Sequence, residues 1–329
     1  MLTQDLLKDA IARRKLLLTG TETENTACET MRLFHGHADG DSSINIDRYG
    51  KIGILEHKRE LSATEIETLT KMLGEMDLSS LLLKAHRSLD LPIHKRFTTL
   101  GEPIPERFST SEYGLRVEIR PFHPHSAGLF LDARPLRQYL QCKAQGARVL
   151  NLFAFSGSLG IAALKGGAAS VVHADKSAEA KDWTAANYGC NELRLDNRDF
   201  VLGDLYKNLP KIANKAKTDE RKQYDIVVLD PPPQVYTTKR SAPRPKQQDF
   251  LTLAKLSAML VKPDGMLICL FHRFGKTREE FEAEVLNTAQ TAGIRLDIAD
   301  RLISGDDFKE ARSEDRLKIT IFKRDQSIE

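Results

Sequence analysis

The stretch VVLDPPPQ, residues 227–234, ends an apolar run in Asp230 and then enters three consecutive prolines. Pro231 and Pro232 fix φ and remove backbone donors, so the chain leaves extended, with a row of acceptors behind the carboxylate. That edge suits gripping a planar base or an exocyclic amine beside a reactive cofactor. A stiff exit loop without chemistry is the plainer alternative. In NLFAFSGSLG (151–160), Asn151, Phe153, Ser156 and Gly157 line a glycine-containing turn into a helix. Gly157 and Gly160 permit close backbone approach to a ligand and tight helix packing, and amides at the helix start favour an anionic group. The run is neither GxGxxG nor a phosphate loop ending in GK[ST], which counts against NAD and ATP. In VVHADKS, Asp175 closes an apolar run 18 residues after Gly157, with Lys176 behind it. An acid there can accept both hydroxyls of an adenosine ribose, or serve only as a helix N-terminal acid. In RDFVLGDLY, Asp204 is placed to take an adenine amino group, with Asp196 and Asp199 as competitors.

The elements that must position these residues follow from pattern. ARVLNLFAF (147–155), ASVVHAD (169–175), YDIVVLD (224–230) and GMLICLFH (265–272) read as buried strands, separated by helical stretches. Near-continuous apolar strands with helices between them imply a parallel sheet covered on both faces. The expected fold class is a doubly wound, Rossmann-like α/β domain over 111–329, in which the four candidates sit at strand tips along the carboxyl edge. GIRLDIADRLI and DRLKITIFKR read as two late strands forming an antiparallel hairpin. Residues 1–110 read as a smaller mixed α/β unit available for RNA or substrate contact. It opens with a helix over 1–18 and includes a helix capped by Ser62 with Glu65 at the capping-box position. The turn-rich GEPIPERFSTSEYG closes it.

Composition narrows the class. With 41% hydrophobic and 29% charged residues and a net charge of +3, the chain is an ordinary globular protein. Its four cysteines form no CxxC pair, so a disulfide framework and a metal cluster are disfavoured and a reducing cytoplasm is expected. His35 with His37, and His123 with His125, have metal-like spacing but no cysteine partner, and are expected to be surface histidines. No apolar run reaches the ~18–20 residues of a membrane span.

Taken together, VLNLFAFSGSLGIAA, the two acids and LDPP resemble a class I S-adenosylmethionine-dependent methyltransferase. More narrowly, RLFHGHADGDSSINIDRYG, SAGLFLDARPLR (126–137), AANYGCN and LDPP, in this order over about residues 30–325, are similar to the bacterial 23S ribosomal RNA large-subunit methyltransferases. That family has a cytosine-5 and a guanine-N7 branch. The resemblance implies S-adenosylmethionine as cofactor. The glycine turn would hold its methionine end, Asp175 the ribose and Asp204 the adenine, with Asp230, Pro231 and Pro232 at the reaction centre. SAGLFLDARPLR resembles the family's tGlFlDxR strand and implies Phe130, Asp132 and Arg134 at the methionine end; a salt bridge between domains is the alternative for the last two.

The departures from the family pattern carry chemical weight. The cytosine-5 branch has a cysteine pair at the strand tip that here reads LICLFHRFG, with Phe271 and His272 at the end and Cys269 inside the strand. Carbon-5 of cytosine needs thiolate addition to the neighbouring ring carbon. A nitrogen target needs only a lone pair placed in line with the methyl–sulfonium bond. After DPP, Pro233 and Gln234 replace the family's aromatic residue and Ser-Lys pair. From Pro231 to Gln248 the chain carries Lys239, Arg240, Arg244 and Lys246 and no acid, a local basic patch suited to RNA phosphates. Tyr236 could stack on an extruded base. The expected activity is methyl transfer to a nitrogen of a ribosomal RNA base. The rivals are the same fold acting on a small molecule or protein, and an RNA-binding relative without catalysis.

Overall fold

The computed structural model describes residues 2–18, 28–232, 247–272, 275–309, 312 and 316–326. The chain divides into two compact units: Met1–Asp132 with Ser304–Ala311, and Ala133–Ile303 with Arg312–Glu329. The first contains α1 (Gln4–Leu18) and a five-stranded sheet of β1 (Thr30–His35), β2 (Ile44–Tyr49), β3 (Ile52–His57), β4 (Ser80–Ala85) and β5 (Phe97–Gly101), in that order. The register aligns Phe34, Ile46, Leu55 and Leu83 in one row. All four are buried in a core shared with Leu7 of α1 and with Leu69 and Met72 of α2 (Ala63–Met72). The capping box read from the sequence is present: the Ser62 hydroxyl accepts from Glu65 N, and the Glu65 carboxylate accepts from Ser62 N. Hydrogen bonds from Arg59 hold the Glu65 carboxyl down at about 2, against the opposing effect of its burial.

Two features of this unit depart from the sequence reading. The division lies at Asp132, whereas residue 110 falls inside β6 (Phe108–Glu112), which pairs with β7 (Leu115–Ile119). The turn joining them places Tyr113 at φ 49° and Gly114 at φ 76°. Two successive positive φ values match the twist of a tight hairpin, so residues that read as a loop are a hairpin. His35, expected at the surface, is buried; its Nδ1 lies 2.9 Å from Arg32, and its ring packs against Phe308. His123 is bonded through Nδ1 to Ser126 O at 2.9 Å. Among the described residues no three metal-ligating side chains converge. None of their helices is long and apolar enough to cross a membrane.

The second unit is built on a seven-stranded sheet. Its strands are β8 (Arg148–Leu152), β9 (Ser170–Asp175), β10 (Phe200–Leu202), β11 (Tyr224–Leu229), β12 (Val261–Phe271), β13 (Leu296–Leu302) and β14 (Lys318–Arg324). Their order is β10-β9-β8-β11-β12-β14-β13, parallel except for β14, which runs antiparallel to both neighbours. The late strands are therefore antiparallel, as read. Ile226, Val227, Val228 and Leu229 are all buried, as a strand covered on both faces requires. One core brings Leu205 and Leu209 of α6 (Leu205–Ala216), Leu253 of α7 (Gln247–Ala258) and Phe281 of α8 (Arg278–Gln290) onto the sheet. Of the remaining helices, α4 (Ser158–Lys165) lies against β8 and β9, α3 (Arg134–Lys143) against α4, and α5 (Ala178–Cys190) against α4 and β10. The stretch 126–137, read as a strand, is a 3-10 turn at Leu131–Ala133 followed by α3, with Pro135 in its first turn. Proline at that position is pre-set for a helix and lacks a ladder donor.

Candidate active site

Register places the strand tips side by side. Leu202 pairs with Asp175, Ala174 with Leu152, Leu152 with Leu229 and Leu229 with Cys269. Asp175, the turn at Phe153, Asp230 and the end of β12 thus follow one another along the carboxyl edge. The order of connection reverses between β8 and β11, so Phe153 and Asp230 flank the switch point where open α/β sheets bind ligands.

The turn after β8 is strained and pinned. β8 stops at Leu152 because Phe153 and Phe155 adopt φ of 59° and 47°, and Gly157 follows at 77°. Left-handed backbone costs a side-chain-bearing residue roughly 1–2 kcal/mol, so neighbouring bonds must hold it. They do: Ala154 N donates to Ala174 O at 3.1 Å and Phe155 N to Asp175 Oδ2 at 3.0 Å. From α5, Thr184 Oγ1 donates to Phe155 O at 3.2 Å and Asn187 Nδ2 to Ser156 O at 2.8 Å. The Phe155 ring lies tilted on Trp183 and Phe153 meets Tyr206 edge-on. A Cβ on Gly157 would sit 2.7 Å from Thr184 Cγ2, and one on Gly160 would sit 2.4 Å from His173 Cε1. Both glycines are therefore required by packing, whatever ligand approaches.

The two acids are also structural anchors. Asp175 Oδ1 accepts from Ser177 N at 3.0 Å while Oδ2 holds Phe155 N, so the residue fastens the β8 turn to β9. Each of its oxygens keeps a further lone pair for a hydroxyl. Lys176 is exposed. Asp204 caps α6, with Oδ1 accepting from Tyr206 N at 3.0 Å. Asp196 caps a separate 3-10 turn together with Asp199. Beneath the turn runs a buried polar row: Asn151 Nδ2 lies 3.3 Å from His173 Nδ1, and His173 Nε2 lies 3.0 Å from the Tyr188 hydroxyl. Burial pushes the His173 imidazole down to about 3 and the Tyr188 phenol up. A neutral ring that accepts at Nδ1 must carry its proton on Nε2 and donate to Tyr188.

On the other flank, Pro231 is buried and Pro232 exposed. Asp230 Oδ1 lies 3.0 Å from His272 Nε2, at the tip of β12. Sequence reading named His272 without seeing this partner; the only signal was a polar residue closing an apolar strand. Cys269 is fully buried, and burial pushes its thiol well above the ordinary range. Val201, Leu202 and Tyr206 are exposed apolar side chains beside Asp204, a feature the sequence pattern did not single out. Phe130 and Asp132 belong to the first unit, the former 48% exposed and the latter contributing to the negative field on Arg32. Arg134 is the buried first residue of α3. Tyr236, Lys239 and Arg240 lie outside the described residues.

A family model described as S-adenosylmethionine-dependent methyltransferase matches residues 82–323. This chain belongs to that family. Its curated relatives include "Ribosomal RNA large subunit methyltransferase I" of Shigella boydii, 26% identical over 272 residues, and the protein of that name from Enterobacter sp. (strain 638), at 27%. Each alignment covers 80% of this chain and 66% of the relative, so the chain spans just under two thirds of their length. Among solved structures, a Streptococcus mutans protein described as a SAM-dependent methyltransferase superposes with a TM-score of 0.80 at 20% identity, over 97% of this chain and 80% of that one. SMU.776, a methyltransferase complexed with SAH, gives 0.80 at 21% with the same coverage. At these identities the likeness establishes a shared fold. The cofactor of the family is S-adenosylmethionine, and the edge fits it. Asn151 Oδ1 is a buried acceptor with no partner among the described residues, suited to an ammonium or hydroxyl donor. Leu202 and Tyr206 offer an apolar surface of the kind a purine ring covers.

Proposed function

We propose that this protein methylates a nitrogen of a ribosomal RNA base. Asn151, Ser156 and the amides after Gly157 would hold the methionine end of S-adenosylmethionine. Asp175 would take the ribose, and Asp204 with Phe153, Leu202 and Tyr206 the adenine. The bound cofactor supplies an electrophilic methyl on a sulfonium. Asp230 and the prolines behind it supply orientation: they fix where the acceptor base stops, so that its lone pair lies in line with the methyl. The observation that carries the nitrogen assignment is the tip of β12, where the thiol of Cys269 is buried inside the sheet and His272 stands at the end. A buried, protonated thiol cannot add to a pyrimidine ring. The ribosomal substrate is supported by the names of the relatives. The test is incubation of purified protein with labelled S-adenosylmethionine and ribosomal RNA from a strain lacking the gene, followed by nucleoside mapping. Label on a base nitrogen is expected. Label on a pyrimidine carbon, or none in RNA, contradicts the proposal.

A further inference from the structure

Helix α6 differs in charge from the helices beside it. The run LYKNLPKIANKAKT (205–218) carries Lys207, Lys211, Lys215 and Lys217 and no acid, so its formal +4 exceeds the +3 of the entire chain. α6 packs on α7 and α7 on α8 over one shared core. In α8 the balance is reversed: Glu279, Glu280, Glu282 and Glu284 outnumber its one cation, Arg278. Leu205, Leu209, Ala213 and Ala216 bury one side of α6, which turns Lys207, Lys211 and Lys215 outward, and all three are exposed. Spaced by four residues, they form a slowly winding row that rises about 6 Å per step.

Helix stability does not account for this row. Like charges four residues apart repel, and Lys207 stands in the first turn, where the macrodipole disfavours a cation. Only Lys215, in the last turn, is placed as the dipole favours. Among the described residues the one ion pair that any of the three makes is Lys207 with Asp204 at 3.8 Å, with the lysine 81% and the acid 43% exposed. A pair so open to water is weak and screened by salt.

We infer that the outer face of α6 binds the phosphate backbone of the substrate RNA through Lys207, Lys211 and Lys215. This rests on the proposed function and adds to it a surface on the flank of the sheet. The row begins beside Asp204, where α6 leaves the carboxyl edge, and descends from there. β10 and β11 are three strand spacings apart, roughly 14 Å, so one RNA can lie on the row while its target base is at Asp230. Ammonium groups on long stems suit phosphates, which need charge more than a fixed geometry. Such contacts carry no sequence information; they fix the position of the RNA and release its counterions. An anionic membrane fits less well, because the apolar side of α6 that would enter it is already buried in the core.

The test compares wild type with the triple variant Lys207→Gln/Lys211→Gln/Lys215→Gln and with a control, Lys143→Gln/Lys165→Gln. The control lysines are exposed at the ends of α3 and α4. α4 covers Val171 and His173 of β9, the side of the sheet opposite Ala174 and the α6 core. With unmodified large-subunit ribosomal RNA at about 0.1 M salt, the triple variant should bind at least about tenfold more weakly, and its plot of log affinity against log salt should be shallower by about 2–3. Its cofactor Kd and its kcat at saturating RNA should stay within about threefold of wild type, and the control should match wild type within about twofold. In wild-type protein, RNA should protect Lys207, Lys211 and Lys215 from an amine-acetylating reagent, and vesicles of anionic phospholipid should not; this footprint decides the question if the triple variant fails to fold. Unchanged RNA affinity and salt slope, an equal loss in the control, or protection by vesicles and not by RNA overturns the inference and leaves RNA methylation standing. Wild-type protein that binds cofactor but labels no RNA overturns the proposed function and this inference with it.

Discussion

On the proposed cofactor side of the carboxyl edge, Asp175 and Asp204 accept amides from their own turns, whereas on the proposed base side Asp230 is followed by prolines and takes a hydrogen bond from His272. The proposed cofactor side is over-determined. Phe153, Phe155 and Gly157 are held left-handed by bonds from β9 and α5, and both glycines are packed too tightly for a methyl group. Among the described residues the Asp230 side chain has one hydrogen bond, to His272, and the chain leaves it through prolines. The contrast fits the two proposed tasks. A cofactor of constant shape rewards a preorganised cradle, while an acceptor base that must enter and leave requires one well-placed polar group and little else.

The contrast can be broken most severely at Gly157. Gly157→Ala combines positive φ with a clash against Thr184 and should destabilise the protein by on the order of 3 kcal/mol and abolish measurable cofactor binding, read by thermal melts and calorimetry. Asp175→Ala frees two backbone amides and removes the proposed ribose acceptor; cofactor affinity should fall by about 1–3 kcal/mol in calorimetry. Unchanged affinity would reduce Asp175 to a turn anchor. The buried His173 sharpens the comparison through pH. Its folded value of about 3 lies below the ordinary 6.5, so the unfolded chain binds the extra proton between these limits. The stability contribution of the neutral ring is present above about pH 6.5 and is lost progressively as pH falls towards 3. At pH 5.5 the loss is about 1.4 kcal/mol, and denaturant melts of His173→Gln should lack this component. Cys269→Ala should have the smallest effect: a stability cost of about 1 kcal/mol and methyl transfer within about twofold of wild type. A large loss of activity would return the thiol to the chemistry.

Much of the edge was legible because periodicity and strand tips are local signals. The apolar runs ending at Asp175 and Asp230, the Ser62–Glu65 capping box and the burial of Cys269 can all be read from neighbouring residues. What escaped depended on pairing between distant segments. His272 meets Asp230 only because β11 and β12 are adjacent in register, and the row Asn151–His173–Tyr188 joins two strands and a helix. The β6–β7 hairpin was missed because its turn residues, Tyr113 and Gly114, lie in a stretch whose glycine, prolines and serines suggest a linker. The segment 126–137 was expected to be a strand from its likeness to the family's tGlFlDxR element, but a helix starts at Arg134 with Pro135 in its first turn.

The central claim is that the carboxyl edge of the second sheet holds an adenosyl sulfonium against a flat base. The most direct measurement is a crystal structure of the protein with S-adenosylhomocysteine. The expected result is the ligand lying along the edge, its ribose at Asp175, its sulfur between the Phe153–Gly157 turn and Asp230, and its adenine over Leu202 and Tyr206. Density for the ligand anywhere else on the molecule, with that edge bare, would contradict it.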